Sequence, residues 1–179
     1  MAESLSWMPV FASRLALIGT ALLVAGSAVA EAPSAFLDAG SISWKVNEQS
    51  TSRWKTLVGG SEGGQLNDAD IQFGIWQLAP NSTYQGHRHD SPEIYYILEG
   101  HAIWTVGDET REVTPGMTIL TQPGQVHRME NRTNELVKAI WVWWAPGGDT
   151  TVFNGSYEFT EPPVPGAEGF SPAETEKIY

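Results

Sequence analysis

The sequence predicts an all-β sandwich or barrel in a single domain. From residue 70 onward the chain reads as short apolar runs, each broken by Gly or Pro. Beyond residue 30 no stretch carries a helical hydrophobic period with caps. The length, 179 residues, suits one domain able to bury a core without staples.

The elements follow in chain order. Residues 1–30 read as a signal peptide. Arg14 precedes the apolar run 15–26, and Ala28-Val29-Ala30 forms an A-x-A cleavage pattern. The run is too short for a good membrane span, so the chain is expected to be exported, to a periplasm or outside the cell. Residues 31–64 form an expected N-terminal arm with edge strands, one of them at 42–46, and a glycine-rich loop at 59–64. Residues 65–148 form the expected barrel. Its strands are predicted at 71–80, 93–98, 101–107, 111–116, 117–121 and 139–144. Glu99-Gly100, Gly107-Asp108, Pro115-Gly116, Gln122-Pro123-Gly124 and Pro146-Gly147-Gly148 supply the turns. Residues 149–179 read as an acidic, Pro-rich tail, expected to be an extended arm. No internal repeat is present, so one barrel is expected and not a fused pair.

Composition narrows the partners. A net charge of -11 and a pI near 4.6 repel nucleic acid and anionic membranes. The absence of Cys removes thiol nucleophiles, disulfides and thiolate metal sites, so any metal must sit on His, Asp or Glu. Phosphate-binding glycine loops and the G-x-S-x-G nucleophile elbow are also missing. Eight Trp is a high count for this length, and Trp76, Trp104, Trp141 and Trp143 fall on predicted strands. They can fill a core or wall a pocket for an apolar or cationic ligand.

Three of the four histidines fall in two short segments. His87 and His89 stand two apart, so an extended strand points both to one face. Asp90-Ser91-Pro92 makes a turn that starts the next strand at Glu93. Pro123-Gly124 is a second turn, and it feeds His127 into a strand. Three imidazoles and one carboxylate suit a divalent first-row metal with open positions for water or substrate. Arg88 lies between two ligands and should face outward, and His101 should sit outside the site.

The segment HRHDSPEIYYILEG resembles the first cupin motif, with His87, His89, Glu93 and Gly100 on the pattern. Asn81 stands where the motif has its leading Gly. GMTILTQPGQVHRMEN resembles the second motif through Gly116, Gly124, His127 and Asn131, with Pro123 one place late. The resemblance implies an antiparallel jelly-roll barrel holding one divalent metal ion, Fe, Mn, Ni, Zn, Co or Cu, on His87, His89, Glu93 and His127. It implies activities ranging over dioxygenases, isomerases, decarboxylases and lyases, with non-catalytic storage proteins beside them.

Glu93 and Tyr95 share a strand face, which makes them the candidate catalytic pair. This arrangement resembles that of the dimethylsulfoniopropionate lyases, in which a Tyr near the metal takes the substrate α-proton. The expectation is a metal-dependent enzyme acting on a small carboxylate-like molecule by lyase, isomerase or dioxygenase chemistry. A non-catalytic ligand-binding or sensing cupin is the rival. The Trp-rich strand at 139–144 and the arm at 41–46 offer apolar surface and a free edge, so a homodimer is expected.

Overall fold

The computed structural model describes residues 36–47, 51–59, 70–164 and 169–170. Every described residue belongs to one compact unit, Pro33–Tyr179. The expected signal peptide, the expected glycine-rich loop beyond Gly59 and the chain after residue 170 lie outside the described residues.

Among the described residues there is no α-helix. The described residues form eleven strands in two antiparallel sheets. They are β1 (Lys45–Val46), β2 (Ser52–Val58), β3 (Ile71–Leu78), β4 (Ser82–His89), β5 (Glu93–Glu99) and β6 (Ala102–Val106). Then come β7 (Glu109–Val113), β8 (Thr118–Thr121), β9 (His127–Asn131), β10 (Val137–Trp144) and β11 (Tyr157–Phe159). The larger sheet runs β1-β2-β3-β10-β5-β8, and the smaller runs β11-β4-β9-β6-β7. This is a jelly roll, as the sequence predicts, but the two sheets face each other without a ladder closing them into a barrel.

The inner faces meet in one core. Trp76, Leu78, Tyr95, Ile97, Trp104, Met129, Val137 and Trp141 are buried there. Alternation sets this up: on β10, Val137, Ala139 and Trp141 point inward, while Ile140 and Val142 point outward. The predicted strands all form, with ends shifted by a few residues.

Strand β2 falls within the arm expected to hold edge strands, but the sequence does not place it, because Arg53 and Lys55 interrupt its apolar character. Both are buried on the outer face of the larger sheet. The Arg53 guanidinium lies over the rings of Trp44 at 4.6 Å and Phe170 at 4.1 Å, and Lys55 Nζ donates to Ala39 O at 2.8 Å. The N-terminal segment therefore acts as a cover whose aromatic ring accommodates two cations.

Asn81 has φ 49°, the one non-glycine residue in the left-handed region among those described. Asn tolerates that conformation, which explains how it replaces the motif's leading Gly. Asn131 pins the next corner: its amide donates to Ala79 O at 3.0 Å and Glu135 O at 2.7 Å.

Candidate metal centre

The four sequence-predicted ligands converge. His87 and His89 lie on β4, His127 opens β9, and Glu93 opens β5 of the facing sheet. His87 and His127 are direct cross-strand partners. The second turn is tied to the first motif by Gly124 N–H donating to His89 O at 2.8 Å. One donor atom from each of the four residues lies within 4.8 Å of all the others, and all four residues are buried. A single ion with ligand distances of about 2.0–2.2 Å spans such a set after small side-chain shifts.

Hydrogen bonding fixes which nitrogen faces the centre. Nδ1 of His87 lies 2.8 Å from Gln85 O, Nδ1 of His89 lies 2.8 Å from Ser91 O, and Nδ1 of His127 lies 3.1 Å from Gln125 O. A carbonyl oxygen only accepts, so each Nδ1 carries the proton and each neutral ring keeps its lone pair on Nε2. Burial, with His127 as neighbour, lowers the His87 pKa to about 3, so that ring is neutral. Nε2 of His89 and of His127 lie 3.2 Å and 3.1 Å from the same Glu93 oxygen. Burial opposes the charge on Glu93, but the close His127 and His89 rings outweigh it and hold the carboxyl well below its ordinary range. Two ring nitrogens and an ionised carboxylate thus crowd one point, where only a proton or a cation can hold them together, and His127 Nε2 has no well-formed hydrogen bond. A cation between them satisfies all these atoms at once. The donor set therefore fits one divalent ion.

A cavity of about 410 Å³ adjoins the cluster. His87, Glu93 and Tyr95 line it, with Trp54, Trp76, Trp141 and Trp143 among its aromatic walls. Tyr95 is buried and packs edge-on to Trp76 at 5.4 Å. Burial first, then the Glu93 charge, pushes its phenol well above the ordinary range. Arg88 faces away and pairs with Glu158 at 2.6 Å. His101 is exposed near Glu112, outside the cluster. Trp104 packs behind Tyr95 at 4.9 Å rather than lining this cavity.

Sequence reasoning missed Tyr84, Phe153, Tyr157 and Phe159, which also line the cavity. Tyr84 has the wrong parity for the face of His87 and His89. A register shift between Tyr84 and His87 reverses that parity and brings the rings to 4.6 Å. The Tyr157 ring stacks on His87 at 5.2 Å and on His89 at 5.8 Å, and its hydroxyl meets that of Tyr84 at 2.6 Å.

Fold and cluster together define a jelly-roll protein with a buried three-histidine, one-carboxylate centre able to hold a metal ion. A family model for the cupin domain matches residues 74–143, the stretch that carries all four clustered residues. It is 34% identical over 67 residues to dimethylsulfoniopropionate lyase DddW of Ruegeria pomeroyi, covering 37% of this chain and 42% of the relative. It is 41% identical over 61 residues to an uncharacterized protein of Methanocaldococcus jannaschii, covering 34% of this chain and 49% of that one. The matches span under half the length of these two curated relatives. Among solved structures, DMSP lyase DddQ from Ruegeria pomeroyi superposes with a TM-score of 0.56 at 19% identity, covering 66% of this chain and 61% of that chain. A predicted oxalate decarboxylase from Thermotoga maritima superposes with a TM-score of 0.53 at 20% identity, covering 61% and 97%. At these identities the structural likeness speaks to the fold.

Proposed function

We propose that this protein is a metal-dependent cupin lyase acting on a small carboxylate. The observation that carries the reading is the placement of Tyr95 and Glu93 on one strand face, both lining the cavity that adjoins the histidine cluster. The similarity to a dimethylsulfoniopropionate lyase over the stretch of the motifs supports the reaction class. His87, His89, Glu93 and His127 would hold the ion, which when bound supplies Lewis-acid polarisation of a substrate oxygen.

The chain's own residues do the rest. The aromatic walls exclude water and suit an apolar or cationic leaving group. Tyr95 Oη, as phenolate, accepts the proton from the carbon beside the carboxylate. The electron pair left on that carbon becomes the new C=C bond, and the leaving group departs with the pair of its broken bond. With dimethylsulfoniopropionate, the products are acrylate, dimethyl sulfide and the proton now on Tyr95. The Glu93 charge is one of the causes that keep the phenol protonated, so neutralising that charge favours the base form.

The test is turnover of dimethylsulfoniopropionate and other small carboxylates by protein loaded with one metal at a time, with and without O2. Product formation that does not need O2 supports the lyase reading. Activity that vanishes without O2 makes the protein a dioxygenase. The non-catalytic reading draws on the ring of Tyr157 over the cluster. Tight binding of a carboxylate with no turnover would establish it.

We propose in addition that the chain is exported. The motive is the cleavage pattern Ala28-Val29-Ala30 after a short apolar run. Mass spectrometry of the native protein should find a mature start at or near Glu31, and an intact Met1 in membrane fractions would refute it.

A further inference from the structure

The stretch after residue 148, expected to be an extended arm, contributes strand β11 along the edge of the smaller sheet. There Tyr157 pairs with His89, Glu158 with Arg88 and Phe159 with His87. Paired residues of an antiparallel ladder share a face, so Tyr157 and Phe159 stand on the ligand side. Tyr157 lies nearly parallel to both imidazoles, at interplanar angles of 20° to His87 and 19° to His89. Its outer side meets water, for Tyr157 is 42% exposed while His87 is 1% exposed.

The chain is fastened on both sides of this ring. Before it, Ser156 N–H donates to Asp90 Oδ2 at 3.0 Å. After it, Thr160 N–H donates to Gly86 O at 2.8 Å, and Gly86 N–H donates to Glu161 Oε2 at 3.1 Å. Two glycines permit the close seating. A Cβ at Gly155 would overlap the Asp90 carboxylate, and one at Gly86 would lie 2.9 Å from the side chains of Thr160 and Glu161.

We infer that Tyr157 is a positioning residue of the metal centre: its ring, delivered by the C-terminal strand, sets the planes of His87 and His89 and closes the cluster to water. The part concerning metal rests on the function proposed above; the closure of the histidines does not.

Diethylpyrocarbonate modification of the metal-free protein, resolved residue by residue by mass spectrometry, tests the closure. His101, exposed and outside the cluster, is the internal standard. In the unaltered protein His87 and His89 should react far more slowly than His101. Tyr157→Ala should bring both toward the His101 rate, Tyr157→Phe should keep them protected, and Gly155→Ala, which displaces the strand without deleting the ring, should expose them partly. Cobalt(II) then reports the positioning. Tyr157→Ala should shift its visible spectrum and speed its loss to a chelator by at least about tenfold, the scale on which residues outside the ligands act on metal affinity. Tyr157→Phe should restore both. Histidines that stay protected in folded Tyr157→Ala and Gly155→Ala proteins would overturn the inference. So would exposure of the histidines in Tyr157→Phe equal to that in Tyr157→Ala. Failure of the unaltered protein to take up cobalt would refute the metal reading and the positioning role, and the modification pattern would still decide the closure.

Discussion

His87 and His127 face each other across the β4–β9 ladder with ring centroids 4.0 Å apart. Two imidazoles at this distance cannot both ionise without strong repulsion, and burial lowers His87 further. His87 is therefore prepared as a neutral donor, the state in which histidine ligates metals.

Removal of a ligand should empty the site. His87→Ala and His127→Ala are each expected to lower metal affinity by well over about tenfold, since even outer partners cost ~10–100-fold. His101→Ala should retain about one ion per chain. Elemental analysis of the purified proteins checks this, and unchanged metal content in both ligand variants would refute the centre.

Tyr95→Phe separates chemistry from binding. Proton transfer by a positioned group contributes ~10²–10⁴-fold, so kcat should fall by about that factor while metal content holds. A dioxygenase would lose much less. Steady-state kinetics at saturating substrate, beside elemental analysis, distinguishes the two.

The metal-free fold should be acid-labile. His87 is neutral in the folded state down to about pH 3, whereas the unfolded chain protonates it near 6.5. The unfolded state therefore binds more protons in this window, and stability falls as pH drops from about 6.5 toward 3. Glu93 acts with the same sign: its carboxyl is lowered in the fold, so its contribution is present above about 4.5 and lost as pH falls below that. Denaturant midpoints between pH 7 and 4 should decline, and His87→Gln should decline less steeply. A flat profile in the unaltered protein would contradict the assignment.

A homodimer is expected through the outer face of the larger sheet. Tyr96, Leu98 and Leu120 are exposed there, beside Ile94, Ile140 and Val142. The outer face of the smaller sheet instead carries Arg88, Arg128 and Glu130, which fits contact with water. Light scattering at micromolar concentration should report two chains, and Leu98→Glu with Leu120→Glu should report one. A monomer before substitution would count against this face.

Much of this was legible in the sequence because local rules set it. Gly and Pro at turn positions marked the strands, and the i, i+2 spacing of His87 and His89 fixed their common face. What was not legible depended on events between distant segments or on an exception to alternation. Tyr84 reaches the cluster face through a register shift, which a period of two cannot reveal. Tyr157 arrives on a strand of three residues whose partner lies about seventy residues earlier. Strand β2 was hidden by Arg53 and Lys55, whose burial depends on Trp44 and Phe170.

The three imidazoles are each oriented by a main-chain carbonyl two residues away along the same chain segment: Gln85 for His87, Ser91 for His89 and Gln125 for His127. The instruction that sets each tautomer is thus written in the backbone and not in the side-chain alphabet. Any residue that preserves the local extended path at 85, 91 or 125 delivers the same carbonyl. The side chains at 85 and 125 serve other bonds, Gln85 Nε2 donating to Glu161 O at 3.1 Å and Gln125 Oε1 accepting from Gln122 N–H at 3.1 Å, so the constraint that sets the imidazoles would leave little trace in a comparison of side chains. Exchanging Gln85 for Thr removes the bond to Glu161 O but keeps the carbonyl, so the His87 tautomer should hold.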